Sequence, residues 1–396
     1  MRLLAGAAAL PVLLSLAAPG VAATPSATPV QPQPPAIPQP AALLPRPAAG
    51  CPPQLGDRRL TRPPWAQSAL DVTGAWAASR GRGVTVAVVD SGVDYSPQLA
   101  GRVSEIDLTG QGPRDCVGHG TAVASIIAAS DARGRGVPFY GIAPAARILS
   151  VKVNTGETGT TGRLAQGILD AVADGAQVIN VSVQTAANSP ALRAAVLFAL
   201  RRNAVVVAAA GNDNPGGGTG PYYPASYPGV LSVGAVDETG TLTSYTDRKT
   251  RVSVTAPGAN ITSAWPGGYN PASQGTSFAA AFVSGVAALV RSAYPRLPAA
   301  AVVRRIEATA DGPTGAHTGA GMVNPVQAVT AVVPAAAAQP AGPPVPVPQP
   351  PAQNRVTRTM ALSIAGAAAA LAALVITAAA VVTRGRRRHW RPAGRR

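Results

Sequence analysis

The sequence predicts an α/β fold, a parallel sheet with helices on both faces, plus a single C-terminal transmembrane helix. Three observations carry this. Short β-branched runs alternate with helical patterns through the middle of the chain. Those runs are continuously apolar, the mark of strands buried on both faces. Met360–Val382 contains no charged residue and is long enough to cross a bilayer.

The elements follow in chain order. Met1–Ala23 has one arginine, an apolar Leu/Ala run and small residues at Val21 and Ala23. It is expected to be a secretory signal peptide cleaved near Thr24. Residues 24–59 are Pro-rich and expected to be extended rather than packed. One domain is expected over 60–330, long enough for a single core. Its strands are placed at Val84–Val89, Arg147–Val153, Gln177–Val183, Ala204–Ala210 and Val230–Val236. Its helices are placed near His119–Ala129, Leu164–Asp174, Pro190–Arg202, Ser277–Ser292 and Pro298–Thr309. Gly216–Gly218 belongs to a loop after the fourth of these strands, and no internal repeat is present. Residues 331–359 form a Pro/Ala-rich linker, 360–382 the membrane helix, and 383–396 a basic tail.

The formal net charge is +16, yet Arg384–Arg396 alone carries seven arginines. The basic balance is therefore that of a membrane-flanking tail and implies no nucleic-acid partner. By the positive-inside rule the C-terminus is cytoplasmic and residues 60–330 lie outside the cell membrane. The two cysteines, Cys51 and Cys116, form an even pair in an exported chain, which favours a disulfide over two free thiols. No Cys/His cluster has metal-ligand spacing, so neither a metal nor another cofactor is expected.

Three residue types point to chemistry. Ser277 lies in "QGTSFAAAFVSG", where Thr276 reads as an N-cap. A serine opening a helix meets its positive dipole end and free N–H groups, a suitable place for a nucleophile. Asp90 ends the apolar run Val84–Val89, at the carboxyl end of a strand, where open α/β sheets place their ligand sites. The chain has three histidines, and only His119, between Gly118 and Gly120, is placed to serve as a base near neutral pH. His389 falls in the basic tail and His317 in a Gly/Thr/Ala loop.

The order Asp90, His119, Ser277 is one of the known orders of an acid–base–nucleophile triad. The segments "AVVDSGVD", "GHGTAVAS", "AAAGNDN" and "GTSFAAAFVSG", in that order, resemble the signature blocks of subtilisin-like serine proteases. A cysteine shortly before the histidine, "PPWAQSAL" ahead of the first strand and a C-terminal anchor narrow the resemblance to mycosins. These are membrane-anchored subtilases of actinobacterial type VII secretion systems. The resemblance implies that Ser277 attacks the scissile carbonyl while His119 takes its proton and Asp90 orients the imidazole. It makes Asn212 the oxyanion-hole donor beside the Ser277 N–H, and Ser182, Val183 and Gln184 the substrate-binding strand.

The chain departs from the family pattern at three places. Gln184 stands where the family usually has glycine and is expected to narrow or polarise the specificity pocket. Ala281 replaces a common proline, which predicts a straighter helix. Ser125 replaces a usual glycine and is read as neutral. The segment from Thr24 to Leu60 is too short to resemble the folded prodomain of many secreted subtilases, so activation by prodomain removal is not expected. A Cys51–Cys116 bridge would pin this extension beside the site rim. The function implied is an extracytoplasmic serine endopeptidase acting on protein or peptide substrates, associated with a type VII secretion membrane complex. The alternative is a structural subunit of that complex with proteolysis secondary. A scavenging secreted protease is disfavoured by the anchor.

Overall fold

The computed structural model describes residues 51, 60, 62–156, 160–213, 220–333 and 355–387. The expected signal peptide lies wholly outside them, as do residues 388–396 of the basic tail and most of the N-terminal extension and linker. Two units are present, divided after Ala331.

In the first unit, two short helices, α1 (Trp65–Ala69) and α2 (Val72–Ala75), precede β1 (Thr85–Asp90) and β2 (Val103–Asp107). Then come α3 (His119–Ala128), β3 (Arg147–Lys152), α4 (Thr161–Ala173), β4 (Val178–Val181), α5 (Pro190–Arg201) and β5 (Val205–Ala209). After β6 (Leu231–Val236) and β7 (Val254–Pro257) comes a hairpin, β8 (Ile261–Trp265) and β9 (Gly268–Ser273). Three helices follow: α6 (Thr276–Ala293), α7 (Ala299–Ala308) and α8 (Pro325–Thr330). The main sheet has seven strands in the order β2-β3-β1-β4-β5-β6-β7, every neighbouring pair parallel.

β1 is the strand from which the order runs both ways, with β3 on one side and β4 on the other. Right-handed crossovers place helices on opposite faces on either side of such a point. α3 and α6 accordingly pack with Val86 and Val88 on one face of the sheet. On the other face, Leu164 and Ile168 of α4 and Leu192 and Val196 of α5 pack with Ala87 and Val89. The five expected strands and five expected helices all form, with no end shifted by more than three residues. Missing from the expectation were β2, β7, the hairpin, α1, α2 and α8.

Helix starts differ by role. α4 and α5 are capped by the side chains of Thr160 and Ser189, as Ser/Thr N-caps should be. α3 and α6 begin after Gly118 and Gly275, with no side-chain cap. The expectation of Thr276 as N-cap is therefore corrected: Thr276 is the first helical residue, and its hydroxyl turns instead to Asn212. α6 runs unbroken from Thr276 to Ala293 through Ala281. It is apolar and long enough to cross a membrane, but 89% of it is buried. It is the core helix of the domain.

The second unit contains α9 (Arg355–Arg387), a continuous helix of 33 residues. It spans the whole of the uncharged stretch Met360–Val382. Leu371, Leu374, Val375 and Ile376 on it are each at least 60% exposed.

Candidate active site

The carboxyl ends of β1, β4 and β5 and the N-termini of α3 and α6 converge on one place. β1 delivers Asp90, 1% exposed, at the point where the strand order reverses, the usual ligand site of an open parallel sheet. α3 begins with His119, whose Nδ1 lies 2.8 and 2.9 Å from the two Asp90 carboxylate oxygens. An ionised carboxylate only accepts, so Nδ1 carries the proton and Nε2 of the neutral ring is a free base. The Ser91 N–H donates to Asp90 at 2.7 Å.

The glycines beside His119 have distinct uses. A side chain on Gly120 would collide with the Gly92 carbonyl, so α3 abuts the β1 turn backbone to backbone. Gly118 has φ 88° and lies under the Trp265 ring of the hairpin, which occupies the space of a Cβ. Both close approaches require glycine.

Asp115, which the sequence reading passed over, organises this loop. It is 1% exposed and accepts from Ser91 Oγ (2.9 Å), Thr121 Oγ1 (2.7 Å) and the N–H groups of Val117, Gly118 and Thr121. Ser91 Oγ accepts in turn from the Gly120 N–H. The first turn of α3 is thus capped from outside, by a carboxylate and a β1 serine. Burial raises the Asp115 carboxyl above the ordinary value, against the lowering by its Thr121 and Gly118 hydrogen bonds, and Asp90 nearby adds to the rise. Lys152, 2% exposed, holds the preceding loop through the Gly112 and Arg114 carbonyls at 2.8 and 2.7 Å. Cys116 is bridged to Cys51, which fixes that residue three positions before His119.

Ser277 stands second in α6 and is buried. Its hydroxyl donates to the Ser182 carbonyl at 3.2 Å, and among the described residues no hydrogen bond joins it to His119. Phe278, the next residue, packs against the imidazole with ring centroids 5.3 Å apart. The α6 start therefore faces the histidine, and such hydrogen bonds often tighten only when substrate binds.

Asn212 follows Gly211 on the loop leaving β5. Its Oδ1 accepts from both the N–H (3.0 Å) and the hydroxyl (2.9 Å) of Thr276. Its Nδ2 lies beside the helix start, 3.3 Å from where a Gly275 side chain would begin. Neither Asn212 Nδ2 nor the Ser277 N–H has an acceptor among the described residues. Two unpaired donors thus stand at the start of α6, the kind of group that can stabilise an oxyanion.

Beyond β4, Val183 and Gln184 line a cavity of about 500 Å³ with Val153, Thr160, Leu164 and Thr185. Ser182 bonds Asn180 and Ser277 rather than the cavity. Half-buried at the cavity edge, the Gln184 amide is taken up by backbone: Oε1 accepts from the Asn212 N–H at 2.9 Å, and Nε2 donates to the Asn212 carbonyl at 3.4 Å. Ser125 is not neutral in this fold. Its hydroxyl accepts from the Ala264 N–H at 2.9 Å, tying α3 to the hairpin.

Known proteins point the same way. The profile of the Subtilase family matches residues 81–330. Mycosin-3 of Mycobacterium tuberculosis is 36% identical over 395 residues, covering 81% of this chain and 84% of its own. Mycosin-1 of Mycolicibacterium smegmatis is 34% identical over 331 residues, covering 68% and 73%. A crystal structure of MycP1 from the ESX-1 type VII secretion system superimposes with a TM-score of 0.66 at 30% identity, covering 72% of this chain and 90% of that one. With 250 residues in one family profile and this identity to whole mycosins, the chain belongs to the subtilase family of serine proteases, and its relatives there include the mycosins.

Proposed function

We propose that the chain is a membrane-anchored extracytoplasmic serine endopeptidase associated with type VII secretion, with Asp90, His119 and Ser277 as its triad and Asn212 as oxyanion donor. The observation that carries the reading is an Asp90-bound imidazole packed against the start of α6, where Ser277 and two unpaired donors stand.

The steps follow from these atoms. A peptide carbonyl lies against Ser277, and its hydroxyl leaves the Ser182 carbonyl to donate to His119 Nε2. Oγ attacks the carbonyl carbon as His119 takes the proton, and Asp90 stabilises the imidazolium. The carbonyl oxygen becomes an anion between Asn212 Nδ2 and the Ser277 N–H. His119 then protonates the leaving amine, and water hydrolyses the acyl-enzyme by the same route. Protein or peptide chains are the substrate class, seated along 182–184 beside the cavity of Val183 and Leu164.

The relatives' place in type VII secretion and the apolar helix α9 support action at a cell membrane, with the C-terminus cytoplasmic. A second reading, a structural subunit of the secretion complex, is favoured by α9 and the Pro-rich linker, which peptide hydrolysis does not need. Incubation with a fluorophosphonate probe tests the enzyme reading. Covalent labelling at Ser277, absent in Ser277→Ala, is expected. A folded wild-type chain that remains unlabelled would leave the structural reading.

A further inference from the structure

We propose that Gln184 is a positioning residue for peptide-bond hydrolysis: its side-chain amide fixes the peptide unit of Asn212 and so aims the Asn212 side chain at the oxyanion. The inference rests on the peptidase reading above and deepens it.

Every backbone N–H and C=O needs a partner, so those of Asn212 can be accounted for one by one. The neighbours are held by the fold: the Asp213 N–H donates to the Tyr245 carbonyl and the Gly211 carbonyl accepts from the Asp247 N–H. The N–H and carbonyl of Asn212 itself go to Gln184, through Oε1 at 2.9 Å and Nε2 at 3.4 Å. β4 and β5 cease pairing at Val181 and Ala208. Beyond that point the Gln184 amide presents a donor and an acceptor to Asn212, as a neighbouring strand would. The clamp is needed because Asn212 follows Gly211, whose φ of 113° breaks the strand. Thr276 fixes the far end of the side chain at Oδ1, and Gln184 fixes its root. With both ends held, Nδ2 has one direction left.

Oxyanion stabilisation depends on donors standing where the charge develops, and a displacement of about 1 Å can cost about 100-fold. Loosening the root of Asn212 while leaving the Thr276 contacts should therefore cost part of its contribution, about tenfold in kcat. A peptide seated along 182–184 pairs with backbone that these substitutions keep, and the Gln184 amide is taken up by Asn212, so the loss should fall on kcat rather than on KM. This separates positioning from pocket lining, since Gln184 also borders the 500 Å³ cavity.

The test uses the full chain in detergent, with Gln184→Met, which keeps the side-chain length without the amide, and Gln184→Ala. Each is made alone and with Asn212→Ala. A peptide 4-nitroanilide is the substrate, and active sites are counted by fluorophosphonate titration so that misfolded protein is not scored. Both variants are expected to lose about tenfold in kcat with KM within about twofold. In the Asn212→Ala background the same substitutions should change kcat by less than about twofold, because Gln184 acts through Asn212. A rise in KM at unchanged kcat would make Gln184 a pocket residue and overturn the inference, as would losses that multiply in the double variants. Unchanged kinetics in both variants beside an active wild type would overturn the inference alone. A wild-type chain that takes neither probe nor substrate would overturn the peptidase reading with it.

Discussion

Two opposing influences meet at His119. Burial disfavours its imidazolium, whereas the charge and hydrogen bond of Asp90, helped by the charge of Asp115, favour it, and the net shift is upward from the ordinary 6.5. A base works only when neutral, so the acid limb of kcat/KM should lie above that value and activity should fall as pH drops through it. The stability consequence has the opposite sense. A raised histidine stabilises the fold fully below its unfolded pKa of about 6.5, and that contribution is lost as pH rises through the folded value. An NMR titration of His119 in Ser277→Ala should give a midpoint above 6.5. Adding Asp90→Asn should bring it down, since only the burial effect and Asp115 then remain. A midpoint indifferent to Asp90 would remove the acid–base pairing from the reading. In kinetics, Ser277→Ala and His119→Ala should each abolish hydrolysis. The double variant should be scarcely worse, because members of a triad act as a unit.

Elements place these residues, and Arg102 shows how firmly. Just before β2, its guanidinium donates to the carbonyls of Ala146 (2.7 Å), Gln98 (2.6 Å) and Ala128 (2.7 Å). Ala128 ends α3 and Ala146 precedes β3, so one side chain ties the far end of the histidine helix to the sheet. Burial lowers the Arg102 pKa, but arginine remains charged across the working range. Arg102→Met would take a donor from three carbonyls, of which only Gln98 keeps another among the described residues, the Ser130 N–H, and a loss of about 3 kcal/mol is expected by urea unfolding. The same helix was legible in sequence because the glycines around His119 and the apolar run after it agree on a helix start. β1, β4 and β5 were legible for a similar reason, since strands buried on both faces are apolar without interruption. β2 was not, because it lies at the sheet edge and carries Ser104, Glu105 and Asp107. β7 is four residues long and ends in Pro257, too short for a period to show. The roles of Asp115 and Gln184 were hidden for a different reason. Both act through contacts between separate elements, and sequence spacing records only contacts along one element.

The whole chain carries more than hydrolysis requires. The Cys51–Cys116 bridge closes a loop of 65 residues, worth about 4 kcal/mol in the chain-entropy view. Reduction should therefore lower the unfolding midpoint, and unreduced peptide mapping should recover the linked pair. The first unit, through Ala331, contains both faces of the sheet and its own core, so it should fold without the second. α9, at 1.5 Å per residue, is about 50 Å long, ample for a bilayer of about 30 Å, and its central side chains are apolar and exposed. If anchoring matters apart from catalysis, the two should separate by mutation. Ser277→Ala should leave export through the secretion system running, with processing of its substrates altered. On the reading as a structural subunit, a chain ending before Met360 should be released as an active protease and should stop export, because a secretion complex would then lose a membrane component while the chemistry is intact. Full export in a deletion strain supplied only with the released domain would show the anchor to be dispensable. Export lost with Ser277→Ala alone would place the requirement on hydrolysis itself.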